Sequence, residues 1–179
     1  AAGGLSRFIV TVFCISQSFP CGRKPPGAGG MRGQRILSWF SLDPFTRMEL
    51  IRHGILVFGT DFRHLISPPD RAETVQAIRR HYETIRTYGD ANPGWLLDTA
   101  RCLYTLKTNQ VIAKTKAGEW ALEHHLCPNP ETMEQALQIR KNPKELLNNA
   151  SVKKWLNGLK PEIQRFADVL EDALRSEIL

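Results

Sequence analysis

The chain has 179 residues, of which 42% are apolar and 23% charged, with a formal net charge of +6. That is enough for one cored domain, or one domain with an appendage, and the composition is that of an ordinary globular chain rather than a low-complexity one. The positive charge argues against a nucleic-acid-binding body: residues 1–42 carry five basic groups and no acidic one, while residues 43–179 carry 19 basic and 18 acidic groups.

Residues 1–42 read as a basic, irregular leader. Its apolar run Phe8–Ile15 follows Arg7 and is too short to span a bilayer as a helix. β-Branched and aromatic residues there suit a buried strand, and the preceding Arg7 suits a signal-peptide core. Both readings stay open. Residues 16–35 are rich in Gly and Pro, lack hydrophobic periodicity and read as a loop or disordered linker. The chain begins with Ala1 rather than Met, which is read as the start of a fragment.

From residue 43 onward the pattern is helical. Asp43-Pro44 supplies a cap and a first-turn proline for a helix to His53. Ile55-Leu56-Val57-Phe58-Gly59 is a short apolar run between two glycines, expected as a buried strand or extended segment. Ser67-Pro-Pro-Asp70 then opens a helix with Val75, Ile78, Tyr82 and Ile85 on one face. A turn at residues 89–93 leads to a helix ending near Thr108, expected to bury Leu96, Ala100, Leu103 and Tyr104. Next comes Lys114–His125, and Asn129-Pro130-Glu131 caps a helix to about Asn142. In the last segment, Ser151–Leu179, Pro161 is expected to break or kink the element. The fold class is therefore mainly α: a bundle of five to six helices with one short extended segment and the irregular leader.

The four cysteines form no CxxC pair and no metal-ligand spacing with the five histidines. Cys102 and Cys127 fall in helical patterns and read as reduced, packed thiols, which points to the cytoplasm. His81, His124 and His125 lack the companions that a metal site needs. Asp168, Glu171 and Asp172 read as the solvated face of the last helix.

Two stretches carry a resemblance. Asn92-Pro-Gly-Trp-Leu-Leu-Asp-Thr-Ala-Arg101-Cys-Leu-Tyr104 is followed by Val111-Ile-Ala-Lys114-Thr-Lys-Ala-Gly-Glu-Trp120-Ala-Leu. Together they resemble the C-terminal domain of the streptomycin/spectinomycin adenylyltransferases, in which a mid-helix Arg precedes a Lys–x–x–Ala–Gly/Ala–acid–Trp–Ala element by about a dozen residues. Residues 52–59 and the closing Phe166-Ala-Asp-Val-Leu-Glu are similar to further parts of that domain, so the resemblance covers residues 43–179.

It implies a helical domain that closes over an active site where AMP passes from ATP to an aminoglycoside hydroxyl, with Mg2+ and a carboxylate base supplied by a separate N-terminal domain. Lys114 matches the family's phosphate-contacting lysine. Tyr82 falls where the family has an aromatic, and Asp90 and Trp95 lie in the loop region where it gathers drug-binding groups. Ungapped counting back from Arg101 places no acid at the family's acidic positions. Arg101 is expected to orient the bundle by pairing with Glu119 or Asp98 rather than to touch ligand. Trp120 is expected in the core.

No Gly-Ser element followed by Asp-x-Asp occurs in the chain, and its first acidic residue is Asp43. Since Mg2+ needs carboxylate oxygens, no catalytic residue and no metal ligand is expected. The chain is read as a fragment lacking the catalytic half, which on its own holds neither ATP nor Mg2+ as a resident cofactor. The expected partners are ATP and an aminoglycoside-like molecule, with neither membrane nor nucleic acid. The alternative is a non-catalytic helical module that self-associates or binds a partner through the face a catalytic domain would cover.

Overall fold

The computed structural model describes residues 42–56, 61, 63–143 and 149–177. The strand or signal core at Phe8–Ile15, the linker at 16–35 and most of the 55–59 run lie outside them.

Helix α1 (Pro44–His53) begins as the sequence indicates. The Asp43 carboxylate accepts from the amides of Phe45 at 3.0 Å and Thr46 at 3.2 Å, with Pro44 in the first turn. Gly54 ends it, donating to the Leu50 carbonyl at 3.0 Å. Of the segment expected next as a buried strand or extended run, only Ile55 and Leu56 are described, and the burial expected of these two is corrected. Ile55 and Leu56 form no strand and are 70% and 48% exposed. Among the described residues no strand exists for them to pair with. A 3-10 turn at Arg63–Leu65 follows, tied back to α1 by Arg63, which donates to the Gly54 carbonyl at 2.7 Å. Arg63 also grips Asp61 through its Nε and holds that carboxyl down at about 2.

Helix α2 (Arg71–Tyr88) opens with a capping box: the Glu73 amide donates to Asp70 at 2.7 Å, and the Asp70 amide donates to Glu73 at 3.1 Å. Helix α3 (Gly94–Thr108) buries Leu96, Leu97, Ala100, Leu103 and Leu106 and packs against α2, α4, α5 and α7. It is the centre of the bundle. Each fully buried leucine contributes about 1.5–3 kcal/mol. Asn109 closes α3 in the left-handed region (φ 53°), where asparagine is among the tolerated residues.

Helix α4 (Lys114–Glu123) comes close to α3 and α5 because residue 118 is glycine. A Cβ there would stand 2.7 Å from Leu97 Cδ2 and 3.0 Å from Leu137 Cδ2. Helix α5 (Pro130–Lys141) is capped by Asn129, which accepts from the Thr132 amide at 3.2 Å.

The final segment is two helices, α6 (Ala150–Asn157) and α7 (Lys160–Ser176). The break falls at Gly158-Leu159, just before Pro161, which sits in the first turn of α7 where its missing amide has no helical partner to lose. That split makes seven α-helices among the described residues instead of five or six. Helix α7 lays Ile163, Phe166, Ala167, Leu170 and Leu174 against α2 and α3. No described helix is long and apolar enough to cross a membrane.

Candidate functional site

Three of the helices converge on Asp98. One turn into α3, this carboxylate is 15% exposed and accepts from Lys114 Nζ at 2.6 Å, through Oδ2. Its other oxygen, Oδ1, accepts from Arg101 at 3.2 Å, one turn further along α3. Arg101 reaches on to Glu49 of α1, also at 3.2 Å, and its guanidinium carbon stands 5.2 Å from the centre of the Phe45 ring. The Arg101 side chain is 14% exposed, and its buried Nε has no partner among the described residues. Asp98 thus lies between two cations, each held by one of its oxygens. Of the two carboxylates expected as partners for Arg101, the structure pairs it with Asp98 and not with Glu119, and adds Glu49. Glu119 instead accepts from Lys116 at 3.0 Å and Lys141 at 2.9 Å, and these bonds, Lys141 first, lower its pKa.

His81 of α2 also meets Phe45, edge-on, with ring centroids 4.9 Å apart. Burial, and then the nearby Arg101 charge, push its pKa below the usual 6.5. Lys114 opens α4, whose N-cap is Ala113 and whose first turn has neither a side-chain cap nor an acidic residue. Among the described residues no side chain therefore caps the first amides of α4, the helix that Lys114 opens.

The remaining residues singled out in the sequence lie elsewhere. The Tyr82 hydroxyl donates to Glu171 of α7 at 2.6 Å and accepts from Arg86 Nε at 3.0 Å. Arg86 also binds Asp168, reaches Glu171 at 3.0 Å, and donates to both the backbone and side-chain oxygens of Gln164. Burial opposes charge on Arg86, but these partners outweigh it and raise its pKa. Tyr82 is raised by burial and by Glu171. Glu171 is lowered, first by Tyr82 and then by Arg86. So Asp168 and Glu171 are not merely a solvated face, as the sequence suggested; they fasten α7 to α2. Partners some 80 positions apart give no local signal, although Tyr82 and Arg86 stand one turn apart beside buried Ile85.

Asp90 is exposed, and one of its carboxylate oxygens accepts from the adjacent Ala91 amide at 2.8 Å. Trp95 is half-buried against the core in the first turn of α3. No hydrogen bond, ion pair or ring contact among the described residues joins Tyr82, Asp90 or Trp95 to the Asp98 cluster. Trp120 is half-buried and packs edge-on against Tyr104 at 5.2 Å. Burial pushes the Cys102 and Cys127 thiols up to about 12 and 11.

A groove of about 470 Å3 is lined by Thr132 of α5, Ser151, Lys154 and Trp155 of α6, and Glu162 of α7, and includes none of the candidate residues above. No three His, Cys, Asp or Glu side chains gather among the described residues in a way that could hold a metal ion. Asp98 and Glu49, the carboxylates of this cluster, already face cations. The described residues therefore do not fit Mg2+.

The model of one family, described as the C-terminal domain of aminoglycoside adenylyltransferase, matches residues 64–172. No curated protein and no solved structure matches the chain. The matched span contains α2 to α6 and most of α7, including the Arg101–Asp98–Lys114 cluster, and covers more than half of the chain. The chain belongs to the family of aminoglycoside adenylyltransferase C-terminal domains.

Proposed function

We propose that this helical bundle is the nucleotide- and substrate-binding part of an aminoglycoside adenylyltransferase. In this role Lys114 receives the triphosphate of ATP. The observation that carries the proposal is the pairing of two basic side chains, Lys114 and Arg101, around Asp98 beside an uncapped helix N-terminus. Helix N-termini disfavour cations and attract anions. A lysine held there by a carboxylate is placed to serve an anionic ligand together with the open amides.

The cationic drug would meet the exposed Asp90 carboxylate and the aromatic faces of Trp95 and Tyr82, which suit ammonium groups. Tyr82 would offer its ring rather than its hydroxyl, because Glu171 and Arg86 already occupy the hydroxyl. The carboxylates for Mg2+ and for the base would come from another domain, so this chain binds and positions without transferring AMP. A cytoplasmic setting suits ATP binding and reduced thiols.

Calorimetry of the purified chain tests this. Weak ATP binding with the same affinity with and without Mg2+ is expected, as is weak binding of streptomycin or spectinomycin that Asp90→Asn diminishes. Absence of ATP binding, or Mg2+-dependent AMP transfer by this chain, would overturn it.

A second reading, self-association of a non-catalytic module, draws on Ile55, Leu56 and Leu65, which are 70%, 48% and 68% exposed around the end of α1 and the 3-10 turn. Light scattering separates the two: a stable dimer without ligand affinity supports self-association, and a monomer that binds ATP removes it.

A further inference from the structure

We infer that Asp98 is an internal stand-in for phosphate, a positioning residue that holds Lys114 and Arg101 ready and sets how tightly an external polyanion binds. This rests on the nucleotide-binding role proposed above and adds to it the element that limits affinity.

The geometry is that of an occupied anion site. One carboxylate oxygen takes the Lys114 ammonium at 2.6 Å, and the other takes the Arg101 guanidinium at 3.2 Å. Two oxygens of a phosphate group would divide themselves between the same two cations in the same way. Asp98 and Lys114 are 15% and 29% exposed, so the pair is only partly screened by water and its attraction is stronger than that of a surface pair. Glu49, 48% exposed, balances the second positive charge from the outer side of Arg101. An arriving triphosphate therefore meets a cluster of two cations and two carboxylates, with no net charge. Lys114 must loosen its hold on Asp98 before it can bind phosphate. In return, Asp98 keeps the lysine stem and guanidinium ordered, so less side-chain freedom is lost on binding.

Glu171 also divides its oxygens between two cations, but Arg175 is 70% exposed and Arg86 keeps Asp168, Tyr82 and Gln164 as further acceptors. Glu119 also faces two lysines, but both lie on the outer surface, at 74% and 54% exposed. It supplies a matched control, since removing its charge changes the net charge of the chain equally without touching Lys114.

The experiment is binding of inorganic tripolyphosphate and of ATP to the full chain at low salt, comparing Asp98→Asn, Glu119→Gln and the double variant Asp98→Asn/Lys114→Gln. Asp98→Asn is expected to bind tripolyphosphate about tenfold tighter than wild type. Glu119→Gln should match wild type, and the double variant should lose the gain. An unchanged or weakened affinity in Asp98→Asn, an equal gain in Glu119→Gln, or a gain that survives loss of Lys114 would overturn the inference.

The wild-type chain provides a measurement that does not depend on the variants folding. The Asp98 side-chain carboxyl carbon should shift in NMR spectra along with the Lys114 ammonium as tripolyphosphate is added. A Lys114 shift with Asp98 unmoved would contradict the inference while leaving nucleotide binding intact. Absence of any shift at Lys114 would overturn both.

Discussion

Two polar clusters fasten this bundle, and they are built in opposite senses. Between α2 and α7, one cation, Arg86, is surrounded by acceptors: two carboxylates, the Tyr82 hydroxyl and both oxygens of Gln164. Between α3 and α4, one acceptor, Asp98, is surrounded by cations, and the buried Arg101 Nε has no partner among the described residues. A cation with all its partners present is a structural tie, because an outside anion has nothing to add. Lys114, whose one carboxylate partner among the described residues is Asp98, can be drawn off by an anion of higher charge. The α2–α7 cluster therefore holds the fold, and the α3–α4 cluster is the one proposed to bind ligand.

The contrast is broken first at the glycine that seats α4. Gly118→Val would drive a side chain into Leu97, Leu137 and Met133, and overpacking of this kind costs about 3 kcal/mol. Denaturant melts should show that loss, and polyphosphate binding should disappear with it as Lys114 moves away from Asp98. Native-like stability together with unchanged binding would mean that α4 does not need close packing to present its lysine.

A smaller loss is expected from Arg86→Met, about 1–3 kcal/mol, since it strips Asp168 of its cation and leaves Glu171 only the exposed Arg175. ATP affinity should be unaffected in the folded protein. Lys114→Met should do the reverse: its stability falls by only about 1 kcal/mol, because Arg101 still holds Asp98, and ATP binding is lost. If both variants lost stability and binding alike, the two clusters would not be separable.

The gentlest probe is pH, to which the two regions respond in different windows. His81, on the α3–α4 side, has a folded pKa below 6.5. As pH falls from 6.5 towards that lower value, the unfolded chain takes up a proton that the folded chain refuses, so stability declines through this window. His81→Gln should flatten the slope. Glu171, on the α2–α7 side, has a folded pKa below 4.5, so its contribution is intact above 4.5 and is lost as pH falls through the depressed value. Glu171→Gln should remove that acid-limb loss and leave the His81 window unchanged. Urea melts across the acid range read both, and a single shared window would contradict the separation.

Local signals in the sequence account well for the helices. Asp43-Pro44, Asp70 with Glu73, and Asn129-Pro130 all act as the caps their residue types suggest, because capping depends on neighbours within one turn. The break before α7 was assigned to Pro161, yet the chain turns at Gly158-Leu159, where buried Leu159 anchors the corner. The run from Ile55 was read as buried because apolar residues between glycines suggest a strand; burial, however, depends on a partner that no local pattern supplies. At the site, Asp98 was named among the candidate partners of Arg101, but its bond to Lys114, sixteen positions away across the α3–α4 turn, was not anticipated. Glu49 was missed altogether, since only the docking of α1 through Phe45 brings it to Arg101.

The most direct test of this division of labour is an NMR titration of the wild-type chain with ATP in the absence of Mg2+. Shifts concentrated at Asp98, Arg101, Lys114 and the first amides of α4, with Arg86, Asp168 and Glu171 unmoved, are the predicted result. Shifts centred on the α2–α7 cluster, or none anywhere, would contradict it.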